Sequence, residues 1–97
     1  MTYSLELEKI EAAIASFKTN LQSYREIYDE MKTEFDKIEE ANFSGKTATQ
    51  IIEINKKMLE KTLKKINELN NFISYLENVK TVYNNMYSGI KEGVNNG

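Results

Sequence analysis

The 97 residues contain no histidine, no cysteine, no tryptophan and no proline. Each absence removes a class of chemistry. Histidine is the side chain that most often serves as a general base near neutral pH. Cysteine supplies thiolate nucleophiles and disulfides, and with both residues missing the usual zinc ligands are gone too. Without proline, nothing forces a helix to stop or kink. Glycine is scarce: Gly45 stands alone in the body of the chain, and Gly89, Gly93 and Gly97 fall at its end. No window approaches the ~18 uninterrupted apolar residues that a membrane-spanning helix needs. Residues 1–8 lack the basic-then-apolar order of a secretory leader, so no ordinary signal peptide is expected. Neither sign of charge dominates, with 13 basic and 15 acidic residues and a net charge of -2. That balance speaks against a dedicated nucleic-acid binder, whose affinity comes largely from neutralising phosphates.

What the chain does have is helical periodicity. Tyr3, Leu7, Ile10, Ile14, Phe17, Leu21, Tyr24, Tyr28, Met31, Phe35 and Ile38 follow one another at steps of three or four. This is the a/d alternation of a helix with one apolar seam, and no period-2 alternation competes with it. The spacing predicts a helix over about 4–40, with Ser4 as N-cap and Glu6 and Glu8 in its first turn. Its last turn carries Asp36, Glu39 and Glu40, the unfavourable sign for a helix C-terminus. A turn is expected over about 41–46, in Ala41-Asn42-Phe43-Ser44-Gly45-Lys46, because Asn and Gly tolerate positive φ.

A second helix is expected over about 47–88, capped by Ser44, or by Thr47 with Gln50 completing a capping box. It carries two stripes. One is Ile52, Leu59, Ile66, Leu69, Ile73, Leu76, Tyr83, Tyr87 and Ile90, interrupted by Asn55, Thr62 and Lys80. The other is Ile51, Met58, Phe72, Val79 and Met86. Polar residues in such a seam act as register or partner-choice devices. After Met86 the pattern frays, and residues 89–97 are expected to form a flexible tail.

The expected fold is therefore all-α: a single-domain antiparallel helix-turn-helix hairpin. Charge favours folding back. Glu26, Asp29, Glu30, Glu34, Asp36, Glu39 and Glu40 outnumber Lys32 and Lys37. Lys56, Lys57, Lys61, Lys64 and Lys65 face a single acid, Glu60, in the segment expected alongside. A lone hairpin buries one stripe per helix and leaves the second stripe of the second helix as an exposed apolar patch. Two hairpins are accordingly expected to pair as a four-helix bundle, homodimeric or with a related helical chain. The expected partner seam is Met58, Leu59, Ile66, Leu69, Phe72, Ile73, Leu76 and Val79.

Chemistry is thinly represented. The acids at Glu39-Glu40, and at Glu8 and Glu11, do not make a di-metal bundle site, which needs Glu-x-x-His pairs. Gly45-Lys46-Thr47 resembles the tail of a phosphate-binding loop but lacks the earlier glycine and the preceding strand. The lysines of 56–65 could meet an anionic surface, but their expected neighbour is acidic. No catalytic residue, metal ligand or cofactor site is assigned, and the chain is not expected to be an enzyme.

With its length, central turn and heptads, the chain resembles the WXG family, small helical-hairpin proteins similar to the early secreted antigenic targets. In that family a Trp-x-Gly turn joins two long helices and the hairpins dimerise. By position, Phe43 stands for the family's Trp and Gly45 for its Gly. Phe keeps the aromatic bulk and drops the indole N–H. The resemblance implies leaderless export through a type VII (ESX-like) machinery with its secretion ATPase, in a Gram-positive bacterium or a mycobacterium. The family's export signal is Tyr-x-x-x-Asp/Glu just after the second helix. Here Tyr87 is followed at that spacing by Lys91, and Glu92 lies one residue late. At five residues the second side chain is turned away by about 140° on a helix. That departure points to a chain exported with, or as the small partner of, a larger protein that carries the signal. The other readings are a cytosolic export chaperone or adaptor for an LXG-like toxin, and a plain dimerisation module.

Overall fold

The computed structural model describes residues 2–41 and 45–96, and the side chains of 4–41 and 45–89. Two helices account for nearly all of this: α1, Thr2–Glu40, and α2, Gly45–Asn96. They fold back on each other as a helical hairpin through contacts between α1 and α2, as the paired seams require. α1 begins two residues before the expected cap, so Ser4 lies inside it. Its end is tight: the Ala41 N–H donates to the Ile38 carbonyl at 3.2 Å, a final turn of 3₁₀ type. Lys37 adds a cation to that last turn, the favourable sign.

α2 starts at Gly45, whose φ of 75° is a left-handed value. No atom lies within 4 Å of where a Cβ would stand there, so the backbone conformation, not lack of space, asks for glycine. Thr47 is inside the helix rather than capping it. The hydroxyl that reaches back is Thr49, whose Oγ1 donates to the Gly45 carbonyl. Thr19, Thr33, Thr62 and Thr81 make the same bond to the carbonyl four residues before them. This local satisfaction is what lets hydroxyl residues sit in long helices. Phe43 and Ser44, the aromatic of the expected turn motif and the alternative cap, lie outside the described residues. α2 extends to Asn96, beyond the end near 88 and through the tail expected over 89–97. Gly89 and Gly93 each disfavour helix by about 1 kcal/mol relative to Ala, but only proline breaks it outright.

The hairpin divides into two compact units, one of Met1–Thr19 with Asn70–Gly97 and one of Asn20–Leu69. In the first, Ile14 and Ile73 are buried, and Leu7, Ile10, Phe17, Leu76, Tyr83 and Tyr87 are half-buried around them. Phe17 meets Phe72 edge-on, with ring centroids 4.9 Å apart, and Phe72 stacks on Tyr75 at 5.9 Å. In the second, Leu21 and Ile66 are buried, flanked by half-buried Tyr24, Tyr28, Met31, Phe35, Ile51, Leu59 and Leu69. The core is thin. Among the described residues the buried apolar side chains are Ile14, Leu21, Ile66 and Ile73, and none falls below 2% exposure.

Candidate interaction surface

The seam of α2 carries three polar residues, and each meets α1. Asn55 is 6% exposed, and its Nδ2 donates to Glu39 Oε1 at 3.4 Å. The Thr62 hydroxyl lies 3.8 Å from the Met31 sulfur. The Lys80 ammonium pairs with Glu11 at 3.6 Å. A buried amide with a carboxylate partner from the other helix is satisfied in one register and orphaned in others. The interruptions seen in the sequence are thus contacts within the hairpin.

The ion pairs correct one expectation. Among the described residues, those joining the two helices are Lys18–Glu77 at 3.1 Å and Lys80–Glu11. None joins the lysines of 56–65 to the acids of 26–40. The opposed segments act on each other through solvent, where charges are screened within about 10 Å, while Lys37–Glu34 and Lys65–Glu68 pair within their own helices. A cleft of about 320 Å³ lies beside Ile14, Lys18, Glu77, Lys80, Thr81 and Asn84. Its charged walls are the members of these cross-helix pairs.

The expected partner seam splits into two groups. Ile66 and Ile73 are buried and Leu59, Leu69 and Leu76 half-buried within the hairpin, so these five hold α1. Met58 is 47% exposed, Phe72 is 42% exposed although its ring meets Phe17 of α1, and Val79 is half-buried. Two positions exchange roles: Ile51 turns inward and Ile52, at 48%, outward. Ile38, the last member of the α1 stripe, is also exposed. Residues missed by the sequence reading complete the outer face. Tyr75 at 60% and Val82 at 54% stand between Phe72, Val79 and Met86 at alternating steps of three and four. The spacing carries the signal, because steps of three and four run from Phe72 to Met86 without a break. A shallow cleft of about 300 Å³ lies along this face, lined by Tyr75, Asn78, Val79, Val82 and Tyr83.

The face from 70 to 88 is also nearly free of charge. Its charged residues are Glu77 and Lys80, both turned to α1 partners. Beside the apolar stripe stand Asn71, Asn78 and Asn85, all exposed. Depletion of charge with aromatics and Met retained is the compositional mark of an interface centre. Of the other site residues, Tyr87 is half-buried in α2, and the side chain of Glu92 lies outside the described residues. No group of three or more potential metal ligands occurs among the described residues, and among them no helix is long and apolar enough to cross a membrane. Compared with protein-family models, curated proteins and solved structures, the chain matches none.

Proposed function

We propose that this chain is a binding module that works by packing its hairpin against another helical chain, the two together forming a four-helix bundle. The observation that carries this is the set of apolar side chains Phe72, Tyr75, Val82 and Met86, exposed on α2 beside a seam already occupied by α1. Area supports it. The chain exposes 7482 Å², whereas a compact folded monomer of 11.3 kDa exposes about 5,700 Å². The surplus of about 1,800 Å² exceeds the roughly 800 Å² that a standard interface takes from each partner.

The resemblance to the WXG family supplies the setting: export through an ESX-like machinery, as a substrate or as the co-secreted partner of a larger protein. The hairpin and the left-handed Gly45 in the turn support that setting. The five-residue spacing from Tyr87 to Glu92 in the sequence, one more than in the family's signal, favours the partner role. The test is to follow the chain in culture supernatant with and without the secretion ATPase, its neighbouring genes co-expressed. Export that depends on the ATPase is expected. Retention in the cytosol under all conditions contradicts the export reading and leaves an intracellular adaptor.

A further inference from the structure

The lysines of 56–65 and the acids of 26–40 do not pair, and helix geometry gives a reason. At about 100° per residue, Asp29, Asp36 and Glu40 lie about 60–100° to one side of Leu21, the buried residue of the α1 seam. Ile27 and Ile38 lie about 100–120° to the other side. On α2, Met58, Lys65, Ile54 and Lys61 lie about 80–140° from the buried Ile66, turned in the same sense as Ile27 and Ile38. In antiparallel helices, the same sense of turn from a shared seam leads to the same open face. Met31 and Thr62, which meet across the helices at 3.8 Å, both lie on this side of their seams.

The unit of Asn20–Leu69 therefore has two unlike faces. One carries Asp29, Asp36 and Glu40. The other carries four exposed apolar side chains, Ile27, Ile38, Ile54 and Met58, with exposed Lys61 and Lys65 among them. The acids at its margin are engaged, Glu34 with Lys37 at 3.1 Å and Glu68 with Lys65 at 3.8 Å. Lys61 has no ion-pair partner among the described residues.

The composition of this face selects its occupant. A specific protein interface gathers aromatic rings and Arg and sheds Lys. This face has no exposed ring and no Arg, and it keeps its lysines. Such a surface suits an anionic bilayer. Apolar tips enter the boundary between headgroups and acyl chains, while ammonium groups on flexible stems stay at the phosphates. The acidic face, turned away, fixes which side meets the lipid.

We propose that the face of Ile27, Ile38, Ile54, Met58, Lys61 and Lys65 is a peripheral docking site for an anionic phospholipid surface. It is independent of helix pairing at residues 72–86. Co-sedimentation of the native chain with lipid vesicles tests it. Binding is expected to mixed phosphatidylserine–phosphatidylcholine vesicles at low salt, weakening as salt is added, and not to phosphatidylcholine alone. Lys61→Gln is expected to weaken that binding by about 5-fold. Lys9→Gln removes the same charge from α1 outside this unit, and it is expected to change binding far less. Ile54→Ser is expected to weaken binding at every salt concentration, with helical circular dichroism unchanged because Ile54 is exposed. Absence of binding to the phosphatidylserine vesicles would overturn the proposal. Equal losses from Lys61→Gln and Lys9→Gln would overturn the face. Binding to poly-glutamate with the vesicles ignored would overturn lipid as the occupant in favour of an acidic protein.

Discussion

Asn55 of α2 gives a side-chain hydrogen bond to Glu39 in the last turn of α1, at 3.4 Å, from a position that is 6% exposed. The contact links two features that look anomalous separately: an amide in an apolar seam and an acid at a helix C-terminus. Glu39 opposes the α1 dipole, and the Asn55 amide is the donor that compensates it.

Replacing Asn55 therefore has two distinguishable outcomes. Asn55→Ala removes the donor and about 1 kcal/mol of stability. Asn55→Leu restores an apolar seam, and it is expected to raise the urea midpoint while loosening the register. Urea melts measure the first effect, and broadened or doubled amide resonances near the turn report the second.

The left-handed Gly45 predicts a backbone effect with no packing component. A Cβ at this position meets nothing, so Gly45→Ala costs only the conformational penalty, about 1–2 kcal/mol. Gly45→Asn is expected to cost less, because Asn tolerates that region. Thermal melts of the two variants give the order Gly, Asn, Ala.

Burial separates two isoleucines on the same helix. Ile73 is 5% exposed and Ile54 57%. Ile73→Ala is expected to cost about 2–4 kcal/mol, because a thin core cannot close over the cavity. Ile54→Ala should stay within about 0.5 kcal/mol. Paired denaturation curves at one protein concentration check this difference.

The Lys18–Glu77 pair is half-exposed on both sides. A double-mutant cycle with Lys18→Met and Glu77→Gln is expected to return a coupling of about 0–1 kcal/mol, shrinking as salt is added. Coupling that holds in high salt would mean the pair is shielded from solvent.

Much of the hairpin was legible because its seams obey one rule. In α1 the residues from Leu7 to Phe35 occupy the inward face that their steps of three and four imply, and the turn glycine takes the positive φ expected of it. What escaped the pattern was phase. An α-helix drifts about 20° per heptad against a strict seven-residue repeat. Three heptads back from Ile73, Ile52 has turned about 60° off the seam, while Ile51 lies about 40° off on the other side. Spacing alone admits either, since both stand three or four residues before Asn55. The same drift carries Ile38 out of the α1 seam. The charged segments misled for another reason. Composition records which charges are near one another in sequence, but ion pairing needs side-chain atoms within 4 Å, and among the described residues the cross-helix pairs that meet that are Lys18–Glu77 and Lys80–Glu11. The outer face of 72–86 was half legible: the heptad members Phe72, Val79 and Met86 were seen, while Tyr75 and Val82 fell between two stripes.

Sedimentation equilibrium of the native chain across the micromolar range tests most directly whether its uncovered α2 face is an interface. The expected result is a mass of twice 11.3 kDa that falls toward the single-chain value on dilution. A mass of 11.3 kDa at every concentration, with melting independent of concentration, would contradict pairing of the chain with itself and leave a different helical chain as the only partner.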